Sequence, residues 1–319
     1  MAELPLFADL PTLGDSEEHH AWEVFGPDDD FGCLNHITPE VVAAAAREAR
    51  SGRVINLNLP LGRPQPQFWA TRPAPRHHLV TKRNVRDDYI DSFYTQGSTQ
   101  WDGFQHIRYR QFGFYGGRDE ADIEEGGALS ISAWAERGLI SRGVLVDVAG
   151  HGAAAGTPVD PQERLPIGAE LVGEVLAAQG TEPRPGDILL FRTGWLEWYM
   201  GLEEGERVEL ATRLDADRGA ARLPGLDPSK EMSAWLWDNR IAAVALDNPT
   251  AEALPYLPEV GWGHHRLLAL LGLPLGELWD LSRLAPACAE EGRHTFLLTT
   301  APINVPGGVA SPANAYAIL

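Results

Sequence analysis

Short apolar runs alternate with helical patterns along most of this chain. The runs are rich in branched residues and have about the length of buried strands; they cover residues 54–59, 143–148, 187–192, 241–246 and 295–300. Helical patterns lie between them, at residues 131–137, 169–179, 232–239 and 265–271. This alternation predicts an α/β fold in which loops at the edges of the sheet carry function, although it does not fix the order of the strands.

The chain has no internal repeat or sharp change of composition, so its 319 residues predict one compact domain. Residues 1–37 form an irregular lead-in, and a helix is predicted from Pro39 to about Arg50 because Thr38 can cap its first turn. The proline-rich segment 60–76 predicts a surface loop, with an active-site lid as the alternative. The acidic segment 201–218 predicts a solvated helical excursion.

The chain is strongly acidic, with a formal net charge of −19. Nucleic acids and anionic membranes are bound through clustered Lys and Arg, so this charge argues against both and favours a neutral or weakly charged small substrate. No stretch approaches the roughly 18 apolar residues of a spanning helix, and the first residues lack a basic region followed by an apolar one. We therefore expect a cytoplasmic protein.

The two cysteines, Cys33 and Cys288, lie far apart and predict neither a disulfide framework nor a thiolate metal site. Any metal ion must then be held by His, Asp, Glu or amide oxygen. Such ligands suit Zn²⁺ or Mn²⁺ without separating the two ions.

A polar row runs from Gln96 to His106, with Gln100 and Asp102 between them. Residues two apart on an extended segment project to the same side, so these side chains could converge on an ion, with Asp102 supplying the charge. A satisfied polar network at the end of a strand is the equal alternative. Asp247, which ends an apolar strand, is a second candidate for a catalytic side chain.

The segment also resembles the signature of the cyclase-like family of metal-dependent hydrolases, which includes bacterial kynurenine formamidase and isatin hydrolase. That signature reads His, any residue, Gly-Thr-His, any residue, Asp, any residue, Pro, any residue, His. Thr99, Asp102 and His106 match it in place. Further similar stretches extend the resemblance over about residues 22–319, which leaves residues 1–21 as an N-terminal lead-in.

The chain departs from the signature at four positions. Gln96 and Gln100 stand where the family has metal-binding histidines, Ser98 replaces Gly, and Phe104 replaces Pro. An amide oxygen is a weaker ligand than imidazole for a borderline metal. The site is therefore expected to hold Zn²⁺ or Mn²⁺ less tightly than its relatives do, to hold one ion where some relatives hold two, or to have lost the ion.

The resemblance also implies a His and a Glu twelve residues apart that complete the metal site, here His265 and Glu277. Twelve residues of unbroken helix would separate these side chains by about 18 Å, too far for one ion. Gly272 and Pro274 can end the helix and turn the chain back. The alternative is that His264 or His265 caps the helix and Glu277 is solvated. The resemblance further implies a swivelling β/β/α fold and a homodimer or homotetramer.

These observations lead to one main hypothesis and two alternatives. Gln96, Gln100, Asp102, His265 and Glu277 are the predicted ligands of a divalent ion, and His106 is the predicted proton carrier in hydrolysis of an amide or lactone. The alternatives are a small-molecule binding protein that has lost its metal, and a metal-dependent lyase or cyclase. The sequence carries no phosphate loop, dinucleotide fingerprint or nucleophile elbow, so dinucleotide chemistry and serine hydrolysis lose support.

Overall fold

The computed structural model describes residues 4–14, 16–69, 71–124 and 127–319. The strands within those residues are β1 Val54–Asn56, β2 Arg76–Lys82, β3 Val85–Asp91, β4 Gln100–Asp102, β5 Leu139–Asp147, β6 Pro166–Ile167, β7 Ile188–Arg192, β8 Gly225–Leu226, β9 Ala243–Leu246, β10 Leu275–Glu277, β11 Thr295–Thr300, β12 Ala310–Pro312 and β13 Tyr316–Ile318.

The α-helices in the same residues are α1 Pro39–Ala45, α2 Glu120–Glu124, α3 Ile131–Arg137, α4 Val148–Ala154, α5 Ala169–Ala178, α6 Trp195–Gly201, α7 Glu204–Ala216, α8 Lys230–Asp238 and α9 Leu284–Glu291. Short 3₁₀ turns accompany them at Phe7–Asp9, Gly32–His36, Ala46–Glu48, Arg110–Phe112, Tyr115–Gly117 and Arg218–Ala220, and a π-helix covers His265–Leu271. No helix among the described residues is both long and apolar enough to cross a bilayer.

Nine of the described strands form one sheet, in the order β1-β13-β11-β5-β7-β9-β10-β4-β12. The central strands β5, β7, β9 and β10 run parallel, and antiparallel strands extend the sheet on both sides. Strand β9 is apolar throughout and β7 is apolar up to Arg192, and their apolar residues are buried, as is typical of parallel strands covered on both faces. The predicted α/β class is confirmed, and the predicted apolar runs all contain strands, with bounds shifted by a few residues.

The lead-in packs onto the rest of the molecule. Phe7 and Leu10 are buried in the main core, and the Trp22 side chain donates a hydrogen bond of 2.7 Å to the Ala269 carbonyl. The first predicted helix is shorter than expected, since α1 ends at Ala45 and continues as a 3₁₀ turn, while Thr38 caps it as predicted through the Val41 amide. The predicted helical excursion is confirmed as α7.

Strands β2 and β3 form a hairpin whose residues are largely exposed. His77 pairs with Asp88 and His78 with Asp91, each at 2.8 Å, so both histidines are engaged within the hairpin. Its exposed apolar side chains are Leu79, Val80, Val85, Tyr89 and Ile90.

Two glycines join the lead-in to the end of the π-helix. Gly272 ends that helix with a φ of +64°, and its carbonyl accepts a 2.7 Å hydrogen bond from the Cys33 amide. Gly32 has a φ of +51°, and a Cβ there would lie 2.1 Å from the same carbonyl oxygen. Only glycine fits this approach, because a side chain would be strained by the backbone angle and would also clash.

We expect Gly32→Ala to lower the free energy of unfolding by about 3 kcal/mol, which combines the left-handed backbone cost with overpacking. Gly52→Ala is the matched control, since its φ is +75° and nothing lies within 4 Å of the added Cβ; it should cost about 1 kcal/mol. Urea denaturation of the three proteins measures both. Equal losses would show that the close approach contributes nothing.

Candidate metal centre and active site

Strand pairing brings three polar side chains to one face of the sheet. Strands β4 and β10 are antiparallel, with Glu277 opposite Gln100 and Leu275 opposite Asp102. Side chains two apart on a strand share a face, and directly opposite residues lie on the same face. Gln100, Asp102 and Glu277 therefore meet, and all three are buried.

His264 completes this group from the segment just before the π-helix. Its Nε2 atom lies 3.4 Å from Glu277 Oε1 and 4.0 Å from Asp102 Oδ2. One candidate ligand atom from each of Asp102, His264 and Glu277 lies within 4.8 Å of the other two. We call these three residues the acid–histidine cluster.

Glu252 fixes the orientation of His264. One carboxylate oxygen is 2.6 Å from His264 Nδ1, and the other accepts a 2.6 Å hydrogen bond from the Gly263 amide. With Nδ1 held by Glu252, the Nε2 atom is directed into the cluster. Burial lowers the pKa of His264, but hydrogen bonds and charges of Glu252 and Glu277 outweigh it and raise the pKa to about 10.

The two glutamines contact the carboxylates through their amide nitrogens. Gln96 Nε2 donates to Asp102 Oδ1 at 2.5 Å, while Gln100 Nε2 donates to Glu277 Oε2 at 2.8 Å and lies 3.3 Å from Asp102 Oδ1. Gln96 does so from outside the strand, since β4 covers only Gln100–Asp102. Both side chains reach the predicted place, and their role as metal ligands stays a prediction.

Two acceptor oxygens in this region are buried without a hydrogen bond among the described residues, Asp102 Oδ2 and Gln100 Oε1. A buried acceptor normally has a donor, and a carboxylate oxygen left without one is costly. A cation would satisfy it. Two ligands of a tetrahedral ion, each about 2.1 Å from it, lie about 3.4 Å apart, which is close to the separations in the cluster.

The predicted ligand His265 lies elsewhere. Its ring packs edge-on against Tyr109 at 5.2 Å and Trp262 at 4.7 Å. Successive helical residues point about 100° apart, so only one of two adjacent histidines can face the cluster, and that one is His264. Burial, then the charge of Arg110, lowers the pKa of His265 to about 4. The expected turn is confirmed, because the chain reverses at Gly272 and returns Glu277 on β10.

Burial and mutual repulsion make the charged forms of the two carboxylates in the cluster unfavourable. Burial, followed by the charge of Asp102, raises the pKa of Glu277 to about 7, although His264 acts in the opposite direction. Two carboxylates this close in a low-dielectric interior repel each other unless positive charge lies between them. His264 supplies that charge here, and a divalent cation would do so more fully.

His106 lies beside the acid–histidine cluster and does not continue the row of side chains predicted from Gln96 to His106. It follows a turn in which its amide donates to the Gly103 carbonyl at 3.0 Å, and its ring centre is 6.3 Å from that of His264. Burial lowers the pKa of His106, and the charges of His264 and Arg72 add to this while Asp102 opposes it. The imidazole is therefore neutral at physiological pH and able to accept a proton.

A cavity of about 590 Å³ opens onto the cluster. His106, His264 and Glu277 form polar parts of its lining, and the apolar wall comes from Trp69, Ile107, Pro249, Leu254, Pro255, Tyr256 and Trp262. This size suits a small molecule. The aromatic residues that surround the motif in sequence contribute little to it, since Trp101, Phe104 and Tyr115 are fully buried in the core.

The predicted loop 60–76 supplies part of this cavity and is firmly anchored. Phe68 is buried against Trp195, with the two rings 5.2 Å apart. The Tyr199 hydroxyl donates to the Pro66 carbonyl at 2.9 Å, and Arg207 donates to the Gln65 carbonyl at 2.8 Å. The loop is thus held in place where it covers the cavity.

Asp247 accepts hydrogen bonds from a neighbouring turn at Thr193 and Gly194. Its carboxylate accepts hydrogen bonds of 2.9 Å and 2.6 Å from the Thr193 amide and hydroxyl, and one of 2.7 Å from the Gly194 amide. Burial raises the pKa of Asp247 to about 6 against the lowering effect of these bonds. These contacts give it a structural role at the start of α6.

Comparison with known proteins places this geometry in a family. The family model named Cyclase matches residues 55–253. The solved structure of a novel cyclase is 31% identical, covers 94% of this chain and 97% of its own length, and superposes with a TM-score of 0.81. The chain belongs to the cyclase family. No curated protein matches it.

Two isatin hydrolases share the fold of this cyclase-family chain at lower identity. An isatin hydrolase bound to the product analogue thioisatinate is 18% identical, with a TM-score of 0.59 over 89% of this chain and 99% of its own. Isatin hydrolase A from Labrenzia aggregata bound to benzyl benzoate is 16% identical, with a TM-score of 0.56 over 87% and 97%. The fold implied by the sequence resemblance, the swivelling β/β/α fold of the cyclase-like family, is thereby confirmed.

Sequence reasoning missed the residues that complete this cyclase-family site from other segments. Glu252 lies twelve positions before its partner His264, on a loop with no recognisable motif, and Arg72 and Trp69 come from the loop 60–76. The paired histidines at 264 and 265 were a usable signal, but the choice between them required the helix geometry.

We expect Glu252→Gln to weaken Zn²⁺ affinity about 10-fold to 100-fold, the usual effect of removing a carboxylate that orients a metal-binding histidine. The His264 ring and the Gly263 amide bond to different carboxylate oxygens of Glu252, and in Gln one of these two positions becomes an NH₂ donor that can accept neither bond. Competition with a chromophoric chelator measures the affinity, and the exposed Glu259→Gln is the control. Unchanged affinity in a folded Glu252→Gln protein would contradict the orienting role.

Proposed function

We propose that this cyclase-family protein is a metal-dependent hydrolase that cleaves an amide or lactone bond in a small, aromatic or cyclic substrate. The observation that carries the proposal is the acid–histidine cluster beside a cavity of small-molecule size, in which the buried Asp102 Oδ2 atom accepts no hydrogen bond from the described residues. Asp102, His264 and Glu277 would hold the ion, and Gln100 could add its free amide oxygen.

The donor set suits a borderline or moderately hard divalent ion. One imidazole and two carboxylates are ligands found for Zn²⁺, and the high share of oxygen also suits Mn²⁺. We propose one of these two ions. When bound, it supplies a Lewis acid that polarises a carbonyl and lowers the pKa of water.

The protein's own groups would handle the proton and the substrate. His106 is neutral, borders the cavity and lies beside the cluster, so it can accept a proton at a ring nitrogen from the attacking water and return it to the leaving nitrogen or oxygen. Glu252 would keep His264 oriented throughout. The aromatic wall would exclude water from the reacting carbonyl.

The decisive experiment is elemental analysis of protein purified without chelator, followed by hydrolysis assays on a small panel: formanilide, dihydrocoumarin and isatin. Acid release is followed with a pH indicator before chelation, after chelation, and after Zn²⁺ or Mn²⁺ is restored. Metal-dependent turnover of a panel member supports the proposal. Protein that neither contains nor takes up metal would instead support the metal-free binding alternative, and a product formed without water would support the lyase or cyclase.

We expect Asp102→Asn to lower Zn²⁺ affinity by at least about 100-fold, because a charged ligand is replaced by a neutral amide in a buried site. The exposed Asp87→Asn on the hairpin has the same change of charge and should leave affinity unaltered. Chelator competition on both variants gives the result. Wild-type affinity in the Asp102 variant would remove Asp102 from the proposed ligand set.

We expect His106→Ala to keep its metal and to lose turnover by about 10²-fold to 10⁴-fold, the usual contribution of a positioned acid–base group. His77→Ala, on the exposed hairpin, is the control. Metal content and initial rates are measured on the same samples. Loss of metal from the His106 variant would make His106 a ligand instead of a proton carrier.

The expected homodimer or homotetramer stays a prediction. A two-stranded hairpin with exposed apolar side chains, such as β2–β3, is only marginally stable when uncovered. Its exposure is consistent with a subunit contact, and light scattering on the purified protein would determine the oligomeric state.

A further inference from the structure

Arg72 projects from the anchored loop 60–76 into the lining of the cavity. Among the lining residues whose side chains are described, it is the one lysine or arginine. Its Nη1 atom donates to the Gln96 carbonyl at 2.8 Å, which fixes the guanidinium beside the segment that leads to Asp102. The side chain is half-buried, so it is partly shielded from bulk water.

The guanidinium retains donors for a ligand. A guanidinium has five N–H groups, and the Gln96 carbonyl is the one hydrogen-bond acceptor it meets among the described residues, with no ion pair to any carboxylate there. Yet its charge is close enough to lower the pKa of both His106 and Glu277. A planar fork of free donors in a sheltered cavity is the arrangement that binds a carboxylate in bidentate fashion.

Arg72 offsets negative charge at the end of the cavity. Asp102, Glu252 and Glu277 place three carboxylates at one end. His264, which pairs with Glu252 and Glu277, and Arg72 are the positive side chains beside them among the described lining residues. Without this arginine, an entering anion would meet net negative charge in a low-dielectric site, which is strongly unfavourable.

The remaining wall suits a flat ring. Tyr256 and Trp262 are stacked, with ring centres 6.0 Å apart and planes 15° apart, and Trp262 stacks in turn on His264 at 5.2 Å. This wall leads directly to the acid–histidine cluster. An aromatic ligand lying on it would place a substituent at the cluster.

We propose that the substrate is a small aromatic carboxylate and that Arg72 binds its carboxylate while the carbonyl to be cleaved faces the acid–histidine cluster. The contact between Arg72 and the ligand carboxylate rests on the cavity alone. The placement of the carbonyl at the acid–histidine cluster rests on the proposed function. The competing account is that Arg72 serves only to position Gln96 through its carbonyl. The two accounts differ in whether the arginine distinguishes an anion from a neutral molecule.

Benzoate and benzamide test this difference, because they share size and shape and differ in charge. Their dissociation constants are measured by calorimetry for the wild type, Arg72→Gln, Arg72→Lys, the exposed control Arg76→Gln and Asp102→Asn. Each protein is used as purified and after chelation. Circular dichroism and Zn²⁺ affinity are recorded for every variant.

We expect the wild type to bind benzoate more tightly than benzamide. Arg72→Gln should weaken benzoate binding about 10-fold to 100-fold, the range for a charged hydrogen-bonded pair, and change benzamide binding less than about twofold. Arg72→Lys should keep part of the preference, and Arg76→Gln all of it. Asp102→Asn should also keep it, which separates this inference from the metal-dependent function.

Three results would overturn the inference. One is a wild type without preference for benzoate. The second is an equal loss of both ligands in Arg72→Gln, accompanied by weaker Zn²⁺ binding, which would assign Arg72 to the positioning of Gln96. The third is a preference that survives Arg72→Gln and disappears in Asp102→Asn or after chelation, which would mean that the ion binds the carboxylate.

Discussion

The antiparallel register of β4 and β10 is the constraint on which the site depends. It places Glu277 opposite Gln100 and on the same face as Asp102, although these residues are about 175 positions apart in sequence. A shift of one residue would turn Glu277 to the other face of the sheet and separate the carboxylates. The buried contacts of the centre, including the pairing of His264 with Glu277, presuppose this register.

The site holds three buried carboxylates, those of Asp102, Glu252 and Glu277. Buried charges of one sign are unfavourable unless positive charge or hydrogen-bond donors lie beside them. His264 lies between Glu252 and the two carboxylates of the cluster, and the glutamines direct amide hydrogens at those same carboxylates. Where the family signature has histidines, the chain thus has neutral donors that stabilise Asp102 and Glu277. The replacement changes the groups around the proposed ion position and keeps both carboxylates.

Periodicity in the sequence was sufficient to predict the α/β class, the strands β1, β5, β7, β9 and β11 and the helices α3, α5 and α8, because branched apolar runs and amphipathic patterns are local signals. The carboxylates Asp102 and Glu277 could also be named, one from its motif and one from a spacing and a turn at Gly272. The sequence could not show that His264 and not His265 faces the cluster, because this depends on which way each side chain points from the helix. Glu252 and Arg72 were missed because they lie in loops and no local pattern marks them.

The loop 60–76 is anchored by Phe68, which packs among Trp195 and Tyr199. Trp69 packs against Phe68 and Arg72 donates to the Gln96 carbonyl, and both residues also line the cavity. The two carboxylates of the acid–histidine cluster therefore lie on strands of the sheet, whereas Trp69 and Arg72, which line the same cavity, lie on an anchored loop. Residues 69 and 72 take no part in the pairing of β4 with β10, so exchanging them would change the cavity lining and leave that strand register in place. If the proposed roles hold, substrate choice could change in this fold while the residues proposed for the reaction stay the same, which is a route by which one scaffold acquires new substrates.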